Sequence, residues 1–208
     1  MKKTLFILFL SVLAAPRAQA QFGVKGGLNV AELTGRSGES ASYKAFYHVG
    51  AFYQANILGP LSIQPEVQYS VVGGTLKSAL TNYDTELRYV TVPILAKLTL
   101  GPVFVEAGPQ YGVLLRANQS GRMQVGFAAD GQPAHGNAAR TATSSFKRND
   151  FSVVGGVGLK LASGFSLGGR LVAGLNDIND VDNLSGINDP RLHNRVFQVY
   201  ASFQLGGK

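Results

Sequence analysis

From residue 21 onward, apolar and polar residues alternate one by one in eight separate runs. Successive side chains of a strand point to opposite sides, so this pattern dictates strands with two chemically different faces. "SIQPEVQYSVV", Ser62 to Val72, shows it well. Ile63, Pro65, Val67, Tyr69 and Val71 alternate with Ser62, Gln64, Glu66, Gln68 and Ser70. The other runs are about 22–31, 45–57, 88–100, 103–115, 151–161, 165–175 and 196–205. Helical periodicity is nearly absent. After residue 20 no stretch approaches the ~18 consecutive apolar residues of a membrane-spanning helix. The chain reads as all-β, and the open question is which strand face is inside.

Three features put the polar faces inside. Apart from Arg88, at the very start of its run, the apolar faces carry no Lys, Arg, Asp or Glu. A charge on a lipid-facing strand costs about 2–4 kcal/mol at the midplane, so contact with lipid demands this exclusion. The polar faces are rich in Gly, Ser and Gln with at most one charge each, whereas a soluble barrel shows a charged exterior. Aromatic residues of the apolar faces also gather near strand ends, as interface girdles do. Tyr47, Tyr69, Tyr111 and Phe151 mark one rim, and Phe22, Phe165 and Phe203 the other. Tyr53 falls nearer mid-strand and does not fit. Short turns at Leu58-Gly59-Pro60, Gly101-Pro102 and Ala162-Ser163-Gly164 alternate with long segments at 32–44, 74–86, 116–150 and 176–195. Short periplasmic turns and long outer loops give this rhythm. The expected fold is an eight-stranded antiparallel up-and-down transmembrane β-barrel spanning residues 21–208.

Residues 1–20 read as an export signal. Lys2 and Lys3 precede an apolar run from Thr4 to Ala15, and Ala18-Gln19-Ala20 matches a cleavage site between Ala20 and Gln21. Cleavage removes Lys2, Lys3 and Arg17, lowering the formal net charge from +7 to +4. That surplus is too modest to argue for nucleic acid. Cys is absent, so no disulfide and no Cys-based metal site is possible.

Side chains fill a barrel this narrow. Lys25, Glu66, Lys97, Glu106, Lys160 and Arg170 should therefore meet inside as a compensated charge network. If Gly101-Pro102 is a two-residue turn, Lys97 faces Glu106, and a salt bridge is expected there. Glu66 needs a cation, with Lys25 and Arg170 as candidates. Ile63, Val67 and Val71 should meet lipid. Pro65 and Pro109 sit inside strands without an N–H to donate, so each should produce a bulge or a lost ladder bond.

Four stretches carry a family resemblance: "FGVKGGLNVA", "LSIQPEVQYS", "LRYVTVPILAKL" and "FSVVGGVGLKL". Their order and spacing resemble the PorT-like outer-membrane β-barrels of Bacteroidetes, over nearly all of 21–205. The resemblance implies an eight-stranded barrel in the outer membrane of a Gram-negative bacterium. The family's named member is linked to protein secretion, and no family catalytic residue exists to carry over. Such barrels usually end on an aromatic residue that the barrel assembly machinery reads. This chain ends Phe203-Gln204-Leu205-Gly206-Gly207-Lys208, so that role would fall to Phe203 or Leu205.

The leading functional reading is a non-enzymatic barrel with a structural role or an interaction role through its loops. Its partners are outer-membrane lipid, lipopolysaccharide, the assembly machinery and a protein at the loops. It needs no cofactor and works as a monomer. A second reading comes from the sparse histidines, His48, His135 and His193. With a three-residue turn at Leu58–Pro60, His48 faces Ser70 near the outer rim. A base beside a hydroxyl is the minimum for nucleophilic catalysis, here a lipid A hydrolase or acyltransferase. No orienting acid is evident. Asp177, Asp180, Asp182 and Asp189 do not match the calcium-loop template. The five basic residues of 116–149 suit either solvent or anionic lipopolysaccharide.

Overall fold

The computed structural model describes residues 21–34, 44–77, 82–127, 133–141, 143, 148–175 and 193–205. The proposed signal segment and the acidic stretch 176–192 lie outside them. Among the described residues nine strands form: β1 (Gln21–Thr34), β2 (Lys44–Leu58), β3 (Leu61–Lys77), β4 (Asn82–Leu100), β5 (Val103–Phe127), β6 (Pro133–Thr141), β7 (Asn149–Lys160), β8 (Phe165–Gly174) and β9 (His193–Leu205). Eight of them close a barrel. β1 to β5 pair in sequence, β5 passes to β7, and β7, β8 and β9 return to β1, every ladder antiparallel.

β6 stands outside that ring, within the long outer segment expected at 116–150. It pairs with Asn118–Phe127, the half of β5 that runs beyond β7. "PAHGNAART" has no apolar alternation, so the strand carries no signal of this kind in the sequence. β3 and β4 extend with it, pairing out to Lys77 and Asn82. At this loop end the barrel wall continues as a blade of β3, β4, β5 and β6.

Both hairpin turns that begin Gly-Pro are tight. Leu58 pairs with Leu61 and Leu100 with Val103. Gly59 and Gly101 adopt φ of 53° and 61°, a left-handed conformation that favours glycine. The first turn is therefore shorter than expected, and a register shift between Asn56 and Leu58 absorbs the difference. His48 still faces Ser70.

Pro65 and Pro109 produce no bulge. The β2–β3 ladder skips the positions around Pro65, and the β4–β5 ladder those around Pro109, with register unchanged across each gap. Pro93 does the same to β3–β4. Lost ladder bonds follow directly from the missing N–H.

The apolar faces point outward. Val24, Leu28, Val49, Val67, Ile94, Val157, Leu167 and Val199 are among the exposed large hydrophobics. Leaving such a side chain in water forgoes about 1.5–3 kcal/mol. A belt of them around the wall is tenable only against lipid. Two rows of paired aromatics frame the belt. Tyr47–Tyr69 and Tyr111–Phe151 lie toward the loop end, with centroids 6.4 and 4.9 Å apart. Phe165–Phe203 and Phe22–Tyr53 lie toward the turn end, at 4.7 and 5.1 Å. Tyr53 thus belongs to the lower girdle after all. The register places it opposite Phe22, at the start of β1. Val71 is a second correction: it is buried rather than lipid-facing, with Arg88 directly opposite on β4.

Candidate functional site

The inward face holds two layers. The lower one is ionic and centres on Glu66 of β3. Lys25 Nζ donates to Glu66 Oε1 at 2.7 Å, as does Gln64 Nε2 at 2.7 Å. Arg170 Nη1 donates to Oε2 at 3.0 Å, and Gln68 Nε2 donates to the same oxygen. The carboxylate is 1% exposed and takes four donors. Arg170 is equally well matched. Its Nε reaches Gln198 Oε1 at 2.5 Å and its Nη2 reaches Gln68 Oε1 at 2.9 Å. One guanidinium on β8 thereby ties together β3 and β9 across the bore, and a cross-link through a fork of N–H groups fixes direction as well as distance.

Glu106 of β5 joins this cluster. Tyr200 Oη donates to its Oε1 at 2.8 Å, and Arg170 Nη1 lies 3.8 Å from the same oxygen. Lys97 faces Glu106 in register, yet it makes no ion pair there. Its Nζ donates to Gln64 Oε1 at 3.2 Å and stands 3.9 Å from the Phe104 ring centroid. The expected Lys97–Glu106 bridge is therefore absent, because an amide and an aromatic face take the cation instead. Lys160 is exposed at the end of β7 and lies outside the cluster.

Large inward aromatics are the part the sequence reading passed over. Phe52, Phe104 and Tyr200 are buried on the polar faces. Lys25 Nζ lies 4.0 Å from the Tyr200 ring centroid, so the ring covers the cation while its hydroxyl serves Glu106. Glycines give these rings room. A Cβ on Gly168 would run into the Tyr200 ring, and one on Gly158 into that of Phe104. The signal was present as strand parity: each ring occupies an inward position in its run.

The upper layer is apolar. Val72, Leu87, Tyr89, Leu114, Ala117, Val154, Val172 and Val196 pack in one buried cluster, which reaches down to Leu95 opposite Gln64. Below it, His48 and Ser70 are bridged by Asn29. His48 Nδ1 meets Asn29 Oδ1 at 2.7 Å, so this nitrogen carries the proton. Asn29 Nδ2 donates to Ser70 Oγ at 2.9 Å and to Val71 O at 2.7 Å. His48 Nε2 is buried without a partner. The free nitrogen is thus not on the serine, the orienting group is an amide, and both side chains are buried. That arrangement holds strands β1, β2 and β3 together and offers no base to a nucleophile. Among the described residues no group of three or more His, Asp or Glu could hold a metal ion.

A cleft of about 480 Å³ opens at the loop end, lined by Phe46, Glu86, Arg88, Arg116, Asn118, Ser120 and Thr141 among others. Arg88 Nε donates to Glu86 Oε1 at 2.7 Å. This pair is exposed, unlike the luminal ones.

Residues 15–180 match the family described as the outer membrane protein beta-barrel domain. Two solved structures share the fold. Neisserial surface protein A is 13% identical, with a TM-score of 0.51 over 88% of this chain and 97% of its own. Ail, the attachment invasion locus protein of Yersinia pestis, determined with the heparin analogue sucrose octasulfate, is 10% identical. Its TM-score is 0.50 over 89% of this chain and 99% of its own. No curated protein matches in sequence.

Proposed function

The chain belongs to the outer membrane protein beta-barrel domain family, and on that premise we propose that it is a non-catalytic membrane protein acting through its loop end. The outer membrane supplies the lipid that its apolar belt requires. The observation that carries the reading is the contrast between a filled bore and an open extracellular face. Glu66, Arg170, Lys25 and Tyr200 close the bore at mid-height, and the apolar layer closes it above. The blade of β3, β4, β5 and β6 rises beyond the barrel and carries the cleft. In planar bilayers the purified barrel should give no steady conductance; a stable open channel would overturn the closed-bore reading.

The enzyme reading keeps its own test. Lipid A from expressing cells should show the same acyl pattern for wild type and His48→Ala. A change that the variant abolishes would establish His48 and Ser70 as catalytic. A secretion-accessory role is supported by the PorT-like resemblance alone. Unchanged protein export in a deletion strain would remove it. Partners in keeping with the reading are outer-membrane lipid, lipopolysaccharide, a protein at the loops, and the assembly machinery reading Phe203 or Leu205. Export would use residues 1–20, and outer-membrane protein should then begin at Gln21.

A further inference from the structure

The outward face of β4 and β5 changes chemistry in steps from the membrane upward. Val92 and Ile94 on β4 and Tyr111 on β5 are exposed within the apolar belt. Val90 and Val113 pair with each other above them. The next outward position on β4 is Arg88, and its partner on β5 is Arg116. Higher still, Glu86 pairs with Asn118 and Asp84 with Ser120. Thr141 of β6 lies beside Asn118.

The arginine pair is not a product of simple alternation. Leu114 faces inward and Leu115 outward, so an unbroken strand would turn Arg116 into the bore. A β-bulge prevents this. Arg88 pairs with Arg116 and Tyr89 with Leu114, leaving Leu115 as the extra residue. Leu115 and Arg116 are consequently both exposed, and Ala117 returns to the interior. Bulges re-aim side chains in this way. The result places two cations directly opposite each other, which is unfavourable on a bare sheet. Glu86 answers Arg88. Among the described residues Arg116 has the Thr141 hydroxyl alone, at 3.5 Å.

We infer that this face seats a phosphorylated glycolipid of the surrounding outer leaflet. Its acyl chains lie on the Val90–Ile94 and Tyr111–Leu115 columns. A phosphate lies between Arg88 and Arg116, at the level where the apolar belt ends. Its sugar enters the cleft, where Glu86, Asn118, Ser120 and Thr141 offer hydroxyl-binding groups. Guanidinium forks match phosphate oxygens bidentately, and an anion removes the repulsion between the two arginines. The inference deepens the proposed interaction role by naming a lipid partner and the residues that meet it. It fails separately from that role, because conductance and acyl patterns do not depend on these arginines.

The test uses the mature barrel, residues 21–208, in neutral phospholipid nanodiscs. Wild type, Arg88→Gln, Arg116→Gln and the double variant are first checked for heat-modifiable gel mobility, which reports the folded barrel. Each is titrated with a phosphorylated lipid A, with the same lipid dephosphorylated, and with inorganic phosphate as competitor. Wild type should prefer the phosphorylated lipid by roughly ten- to thirtyfold, and the folded double variant should lose that preference. Each single variant should lose part of it. Equal binding of the two lipids by wild type would overturn the inference, as would an undiminished preference in the double variant. Displacement by millimolar inorganic phosphate would also overturn it, since that result marks a free-phosphate site.

Discussion

The two luminal layers differ in how fully they satisfy buried polar atoms. In the lower layer every oxygen of Glu66 and every nitrogen of Arg170 has a partner, and Glu106 Oε2 is the exception among the described residues of the cluster. In the upper layer Tyr89 Oη, Thr91 Oγ1 and Asp150 Oδ1 are buried without one, among valines and leucines. The lower layer is a directional lock that specifies which strands meet at which height. The upper layer is ordinary packing that keeps water out, and it tolerates imperfect polar company. An ion cluster whose central carboxylate and guanidinium are fully paired is costly to break because its members cannot be rehydrated once buried. An apolar layer loses only what the removed atoms contributed, plus the hole they leave.

The largest effect should come from the centre of the lock. Glu66→Gln keeps shape but strands the Lys25 and Arg170 charges in the bore. The expected loss is about 3–5 kcal/mol of stability, the range for removing one partner of a buried ion pair. Urea unfolding in micelles, followed by gel mobility, measures it. A loss under about 1 kcal/mol would mean that the cluster is decorative and the contrast false. Next comes the apolar layer. Leu87 is fully buried, and Leu87→Ala should cost about 2–4 kcal/mol by the same measurement, as large-to-small core changes do.

The two layers were unequally legible in the sequence. Glu66 announced itself as a carboxylate in the middle of an alternating strand, and Lys25 and Arg170 occupied matching polar faces. Both donate to it in the structure. Alternation supplied the strands and their facing because its period is that of the pleat. The upper layer was illegible. Val72, Leu87, Leu114 and Val196 are apolar residues at inward positions, so they blur the alternation that reveals a strand. β6 was invisible for a related reason: "PAHGNAART" carries no apolar alternation. The Leu115 bulge could not be foreseen either. It depends on the register of two strands whose pairing a single run does not encode.

Lys97 tests the border of the lock. It lies in the lower layer but holds no carboxylate, resting on Gln64 and Phe104. Lys97→Met removes a desolvated charge and leaves an apolar chain of similar reach over the same ring. The expected change is within about 1 kcal/mol, since a buried charge without an ionic partner contributes little net stability. A loss approaching that of Glu66→Gln would extend the lock to the turn end and put Glu106 in range of Lys97 in solution.

The smallest effect is the sharpest test, because it repeats the chemistry of the first substitution one layer higher. Asp150 is buried at the top of β7, and among the described residues its carboxylate takes one side-chain hydrogen bond, from Ser152 Oγ to Oδ2 at 3.3 Å. Its Oδ1, Tyr89 Oη and Thr91 Oγ1 have no partner there, and the three residues help line a small cavity of about 20 Å³, room for one water. No cationic side chain forms a salt bridge with it among the described residues. Asp150→Asn therefore removes a carboxylate that nothing compensates, and an amide still reaches the hydroxyls and the water. Stability should stay level or rise by up to about 1 kcal/mol, because the desolvation of an unpaired charge is relieved. Glu66→Gln and Asp150→Asn then differ in sign as well as size. If both destabilise alike, the upper layer holds a counter-charge after all, and the division of the bore into lock and packing is wrong.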